Sequence, residues 1–320
     1  MKEPLSFCSR HLLEVAVMDN VFFNYENLII LRHACVASQA SFADRFHFQS
    51  TDSDGRDKNK KGPDERNSLR IFPNIRPKVY LLGDSITEQS FTEGGWSASL
   101  ANRFALTVDV VLRGNGGYNT RWTLKVLDTL FPATGSFDNG ENSSGRPIFV
   151  TVFFGANDAC LPDRCSAYQH VPLDEYKQNL YSIVSFFKKK WPETRVILIT
   201  PPPIDEEARL KYPYIENPQG LPERTNEAAA EDARACISVA GECGIPVVDL
   251  WTKMQRNPDW AKVYPSDGLH LTKDGQGIVF EELILKLEDE LGLHLEALPI
   301  DVPRITEIDP NDPMKAFEKF

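Results

Sequence analysis

Residues 78–87 read Lys-Val-Tyr-Leu-Leu-Gly-Asp-Ser-Ile-Thr. Lys78–Leu82 is a short apolar run, and Gly83-Asp84-Ser85 ends it. Such a run, bounded by turn residues, reads as a buried strand that feeds a loop. The same pattern returns downstream. Val108–Leu112, Ile148–Phe154, Val196–Thr200 and Pro246–Leu250 are further apolar runs, the third of them stopped by Pro201–Pro203.

Helical spacing fills the intervals. Gly95–Phe104 and Thr120–Leu130 have it, the second with Trp122, Val126 and Leu130 on one face. Leu173–Trp191 places Leu173, Tyr176, Leu180, Ile183, Val184 and Phe187 at the i, i+3, i+4, i+7 positions. Thr225–Cys243 and Thr272–Leu291 each begin at a threonine suited to cap a helix. Continuously apolar strands alternating with helices predict an α/β fold with a parallel sheet covered on both faces. About five such units fit a flavodoxin-like three-layer α/β/α sandwich, which binds ligands at the carboxyl ends of its strands.

The chain has 320 residues, room for one large domain or two small ones. Apolar residues make up 42% of it, enough for a sizeable core. Lys plus Arg is 35 against 46 Asp plus Glu, a net charge of −11. A general nucleic-acid binder and a polybasic membrane binder both need a positive field, so neither is expected. No apolar run reaches the ~18–20 residues of a membrane-spanning helix, so no stable membrane insertion is expected. Glu3, Glu14 and Asp19 break the pattern of a signal peptide, which leaves a cytoplasmic location as the expectation. The six cysteines are scattered, and neither C-x4-C nor C-x6-C has a tight zinc or redox spacing.

The two ends differ from the middle. Residues 1–76 hold a few apolar clusters and then the segment Thr51–Arg70. From Thr51 to Ser68 there is no aliphatic or aromatic residue, so this segment reads as a disordered linker. Pro132–Pro147 is a Gly, Ser and Asn-rich loop. The expected division is an extension over 1–76, one domain over 77–300 and an extended tail over 301–320.

Four motifs follow predicted strands. Gly83-Asp84-Ser85 offers a serine where a nucleophile can face the crevice, or else a turn in which Ser85 or Asp84 bonds backbone. Arg113-Gly-Asn-Gly-Gly-Tyr-Asn-Thr120 offers backbone that can approach a ligand closely, or a tight strand-to-helix turn. Gly155-Ala-Asn157-Asp158 offers an amide that donates a hydrogen bond without titrating, or an Asx-turn. Asp267-Gly-Leu-His270 offers a base with an acid to orient it, a structural helix entry, or half of a metal site that no other histidine cluster completes.

Taken in order, these motifs resemble the SGNH hydrolases, the GDSL esterase/lipase superfamily. GDSITEQSF, RGNGGYNTRW, VTVFFGANDAC, ITPPPIDEEAR and DGLHLTKDG together resemble its isoamyl-acetate-hydrolysing esterase group, and plant esterases of that group most. The resemblance runs from about Lys78 to near the C-terminus. It implies a flavodoxin-like sandwich, no cofactor and no metal. It implies Ser85, Asp267 and His270 as catalytic residues, with Ser85, Gly117 and Asn157 forming the oxyanion hole. Gly117 is the member of its motif that directly precedes Tyr-Asn-Thr; the serine usual before it is replaced by Gly116. The implied activity is hydrolysis of short-chain or acetyl esters through an acyl-enzyme, with a small-molecule ester as the partner. A catalytically weak binding module and an acyltransferase using the same serine are the other readings. Arg121 reads as one half of a surface salt bridge, Trp96 and Trp122 as packing residues, and Glu206, Glu207 and Arg209 as a solvated loop.

Overall fold

Lys78–Gly83 forms β1, and four more parallel strands assemble around it. They are β2 (Asp109–Gly114), β3 (Pro147–Phe153), β4 (Arg195–Ile199) and β5 (Val247–Val248). The computed structural model describes residues 76–132, 146–213 and 215–318. The strand order is β2-β1-β3-β4-β5. That order reverses between β1 and β3, and open α/β sheets bind ligands at such a switch point.

Alternation along each strand sorts side chains to the two faces. Val79, Leu81, Phe149, Phe153, Ile197 and Ile199 point to one face, with Trp96 and Leu100 of α2 (Trp96–Arg103) and Val279 and Leu283 of α9 (Lys273–Leu285). Leu82, Val150, Val152, Val196 and Leu198 point to the other. There they meet Leu127 of α3 (Thr120–Leu130), Ile183 and Phe187 of α4 (Leu173–Lys190), and Val239 of α6 (Asn226–Cys243). These are the three layers expected from the apolar runs. The remaining helices are short: α1 (Ser85–Glu88), α5 (Glu206–Lys211), α7 (Leu250–Met254) and α8 (Trp260–Val263).

Several boundaries differ from expectation, each for a local reason. β5 has two residues because Asp249 accepts the Thr252 N–H and turns the chain directly into α7. The final helix gives way after Leu285 to a wider turn over Lys286–Glu290. α3 buries Thr120, Thr123 and Leu127, one step round from the expected Trp122–Val126–Leu130 stripe. Thr120 is drawn inward by a buried acceptor, and Trp122 stacks instead on Tyr168 at 6.2 Å. The tail carries short 3₁₀ turns at Ile305–Glu307 and Pro313–Phe317. The extension before residue 76 and most of the Pro132–Pro147 loop lie outside the described residues. Among the described residues no helix is long and apolar enough to cross a membrane.

Candidate active site

The sheet register brings the first three motifs to one edge. Gly83 pairs with Gly114 on one side and with Phe153 on the other, so the chain leaves β1, β2 and β3 side by side. Ser85 follows two residues after Gly83 and opens α1. This helix is a single turn, so it has little macrodipole, and any stabilisation there comes from individual N–H groups. Asp84 caps it by accepting the Ile86 N–H at 2.9 Å.

The fourth motif reaches the same edge from a closed loop. An antiparallel bridge between Pro265 and Leu271, with Ser266 N–H donating to the His270 carbonyl at 2.7 Å, shapes this loop. Gly268 lies at φ +87°, and a Cβ there would meet the Asp205 carbonyl at 2.4 Å. Glycine thus lets the loop press against α5. Asp267 Oδ1 accepts the backbone N–H groups of Leu269 and His270 at 3.0 and 2.8 Å. Asp267 Oδ2 lies 2.8 Å from His270 Nδ1, and His270 Nε2 lies 2.9 Å from Ser85 Oγ. Both ring nitrogens are therefore engaged, one by an acceptor carboxylate and one by a hydroxyl. Burial of Asp267 acts to raise its pKa, but the hydrogen bonds from His270 and Leu269 outweigh it and hold the carboxyl below its ordinary range. It is an anion at neutral pH, suited to orient the imidazole and to stabilise its protonated form.

Gly117 adopts φ +74°, a conformation that favours glycine. Its carbonyl accepts Gln169 Nε2 at 2.9 Å, and the next carbonyl, of Tyr118, accepts Asn157 Nδ2 at 2.8 Å. Asn119 adds a bond to the Gln169 carbonyl at 2.8 Å. This turn is thus pinned from outside. The departure at Gly116 leaves that pinning intact, since a Cβ at this position would meet only the end of the flexible Glu88 side chain, at 2.6 Å.

Two buried carboxyls lie under the site. Asp158 accepts the Thr120 N–H and hydroxyl at 2.9 and 2.5 Å and anchors the start of α3. Burial raises its pKa to about 6. Burial likewise raises Asp84 to about 7, against the pull of the Ile86 N–H, His270 and Arg224. A carboxyl whose folded value exceeds its unfolded value of ~4 contributes stability fully below pH ~4, and loses it as pH rises through 7. Asp84→Asn keeps the cap acceptor and removes this titration. Its melting temperature relative to the parent is expected to rise between pH 5 and pH 8; a pH-independent difference in thermal unfolding contradicts this.

Other expectations resolve plainly. Arg121 pairs with Glu175 at 2.5 and 2.7 Å, and Trp96 is fully buried. Arg209 is not in a solvated loop. It is 1% exposed, with Nη1 at 3.1 Å from the Asp267 carbonyl and 3.2 Å from its Oδ2. Neither it nor Gln169 stands out in sequence, because an arginine in a Glu-rich helix and a lone glutamine both read as surface residues.

Residues 79–283 match the GDSL-like Lipase/Acylhydrolase family. A GDSL esterase/lipase of Arabidopsis thaliana is 59% identical over 77% of this chain and the whole of that protein. The isoamyl acetate-hydrolyzing esterase 1 homolog of Homo sapiens is 44% identical over 71% of this chain and 86% of that protein. Among solved structures, the lipase/acylhydrolase of Enterococcus faecalis is 25% identical, with a TM-score of 0.50, covering 67% of this chain and 96% of that one. A parallel five-stranded sandwich, a serine hydrogen-bonded to a histidine at its carboxyl edge and these relatives agree: the chain belongs to the GDSL esterase/lipase family of SGNH hydrolases and is a carboxylic ester hydrolase.

Proposed function

We propose that the protein hydrolyses short-chain esters, acetates among them, through an acyl-enzyme on Ser85. The observation that carries this reading is the unbroken chain from Asp267 to His270 to Ser85 at 2.8 and 2.9 Å. Ser85 Oγ attacks the ester carbonyl while His270 Nε2 takes its proton. Asp267 stabilises the imidazolium. The carbonyl oxygen gathers negative charge, opposed by the Ser85 and Gly117 N–H groups and the Asn157 amide. Collapse breaks the C–O bond, and His270 gives its proton to the departing alcohol. Water, deprotonated by His270, then attacks the acyl-serine, and a carboxylic acid leaves as Ser85 regains its proton.

The acetate preference is supported by the name of the mammalian relatives, isoamyl acetate-hydrolyzing esterase 1 homologs. The test is an ester panel varied in acyl length, together with covalent labelling by a fluorophosphonate. Labelled Ser85 and faster turnover of acetates than of long acyl esters are expected. A folded protein that takes no label contradicts the acyl-enzyme and favours a binding module. Transfer of the acyl group to an alcohol in preference to water favours an acyltransferase.

The hydrolase unit, taken with Arg76 from the end of the 1–76 extension, is proposed to fold without residues 1–69. Arg76 makes a two-pronged pair with Asp301, at 3.1 and 2.8 Å, so a shortened chain should retain both. A chain of residues 70–320 is expected to unfold cooperatively and to keep the kcat/KM of the full protein. Failure to fold overturns the division.

A further inference from the structure

We propose that Arg224 is a positioning residue for the oxyanion donor: it fixes which way the Asn157 side chain faces. This rests on the Ser85 esterase reading above.

An asparagine amide is nearly symmetric in shape, but only its NH₂ end can donate to an oxyanion. Something must decide its orientation. A guanidinium carries only donors, so every atom it touches must accept. Arg224 Nη2 lies 2.8 Å from Asn157 Oδ1 and 2.9 Å from Gln169 Oε1. Both contacted amide atoms are thereby oxygens. The consequence propagates. Asn157 Nδ2 is left to face the Tyr118 carbonyl, and Gln169 Nε2 faces the Gly117 carbonyl at 2.9 Å and Asn157 Oδ1 at 3.3 Å. One cation thus sets both the side-chain donor and the turn that carries the backbone donor. Its charge beside the Asn157 carbonyl also polarises that amide and strengthens its N–H groups as donors.

Arg224 is itself held on all sides. Its Nε donates to the Ala156 carbonyl at 2.7 Å and its Nη1 to Glu223 Oε1 at 2.7 Å. Glu223 Oε1 also accepts Arg209 Nε at 2.8 Å, and Arg209 Nη1 reaches Asp267. The Arg209, Glu223 and Arg224 side chains are only 2–3% exposed. Their charges alternate, so none is left unopposed in the interior. Buried ion pairs are weak contributors to stability compared with apolar packing of similar volume. A fork of fixed geometry, however, supplies orientation that apolar packing does not. A bridge between Cys160 and Arg224, and Leu161 N–H on the Glu223 carbonyl at 2.9 Å, seat this segment against the Asn157 turn.

The experiment is a double-mutant cycle on p-nitrophenyl acetate hydrolysis: Arg224→Met, Asn157→Ala and both together in the full chain, with Ser85→Ala as control. Arg224→Met is expected to lower kcat about 10- to 100-fold, part of the loss from deleting a donor outright, with KM nearly unchanged. In the Asn157→Ala background the same substitution is expected to cost at least about 3-fold less than in the parent, because the amide it orients is gone and only its route through Gln169 to the Gly117 turn remains. Equal losses in the two backgrounds, or a loss carried by KM, overturn the proposal. Should Arg224→Met fail to fold, Arg224→Lys is read in the same cycle, since lysine keeps the charge but cannot fork. Parent-like kcat or additive losses for Arg224→Lys then overturn it. Hydrolysis that survives Ser85→Ala defeats the acyl-enzyme reading at Ser85; Ser85-dependent hydrolysis with additive losses defeats only the role of Arg224.

Discussion

Ser85→Ala is expected to lower kcat for p-nitrophenyl acetate by about 10⁴- to 10⁶-fold and to abolish fluorophosphonate labelling. The substitution removes one oxygen, the atom 2.9 Å from His270 Nε2. Little else depends on that oxygen. The start of α1 is capped by Asp84 rather than by Ser85, and the strand before it pairs through backbone. Stability should therefore stay within about 0.5 kcal/mol of the parent, as for substitutions away from caps and cores. The loss in rate is then chemical. Without Oγ no acyl-enzyme forms, and water must attack the ester with help only from the remaining donors. A variant that folds like the parent and retains more than about one tenth of its kcat contradicts the nucleophile assignment, since the loss expected is thousands-fold.

Asp267→Asn is expected to cost about 10⁴-fold in kcat, the scale on which a wrong histidine tautomer disables such a site. The local geometry says why the tautomer would be wrong. Position Oδ1 faces two backbone N–H donors, from Leu269 and His270. An amide NH₂ placed there would meet donors on both sides. Position Oδ2 faces His270 Nδ1 and, at 3.2 Å, Arg209. An NH₂ placed there conflicts only with Arg209, which keeps the backbone carbonyl of residue 267 as an acceptor at 3.1 Å. The asparagine should settle with its NH₂ toward the ring. His270 then accepts at Nδ1 and carries its proton on Nε2, so it cannot take the Ser85 proton. The loss should fall on kcat with binding of ester little changed. A pH–rate profile with the parent's amplitude contradicts the argument.

Much of this was legible because it is local. The apolar run before Ser85, the threonine caps of α6 and α9 and the apolar stripe of α4 all express contacts within a few residues. The same holds for Asp267 and His270, which share one turn. The seam of α3 was not legible. Its inward face depends on Asp158, 38 positions from Thr120, accepting both the Thr120 N–H and hydroxyl. The fate of Gly116 was hidden for the same reason, since what steadies that turn is Gln169, 52 positions from Gly117.

By itself, then, the sequence determined the parallel α/β sandwich and the turns that carry Ser85, Asn157, Asp267 and His270, the residues proposed to do acyl chemistry, because strand burial, helix periodicity and turn chemistry are written over short windows. Tertiary structure decided which way those residues face. A carboxylate, two arginines and a glutamine that look like surface residues are carried into the interior by long-range packing. There each charge must find a partner, and finding one orients Asn157 at one end and contacts Asp267 at the other.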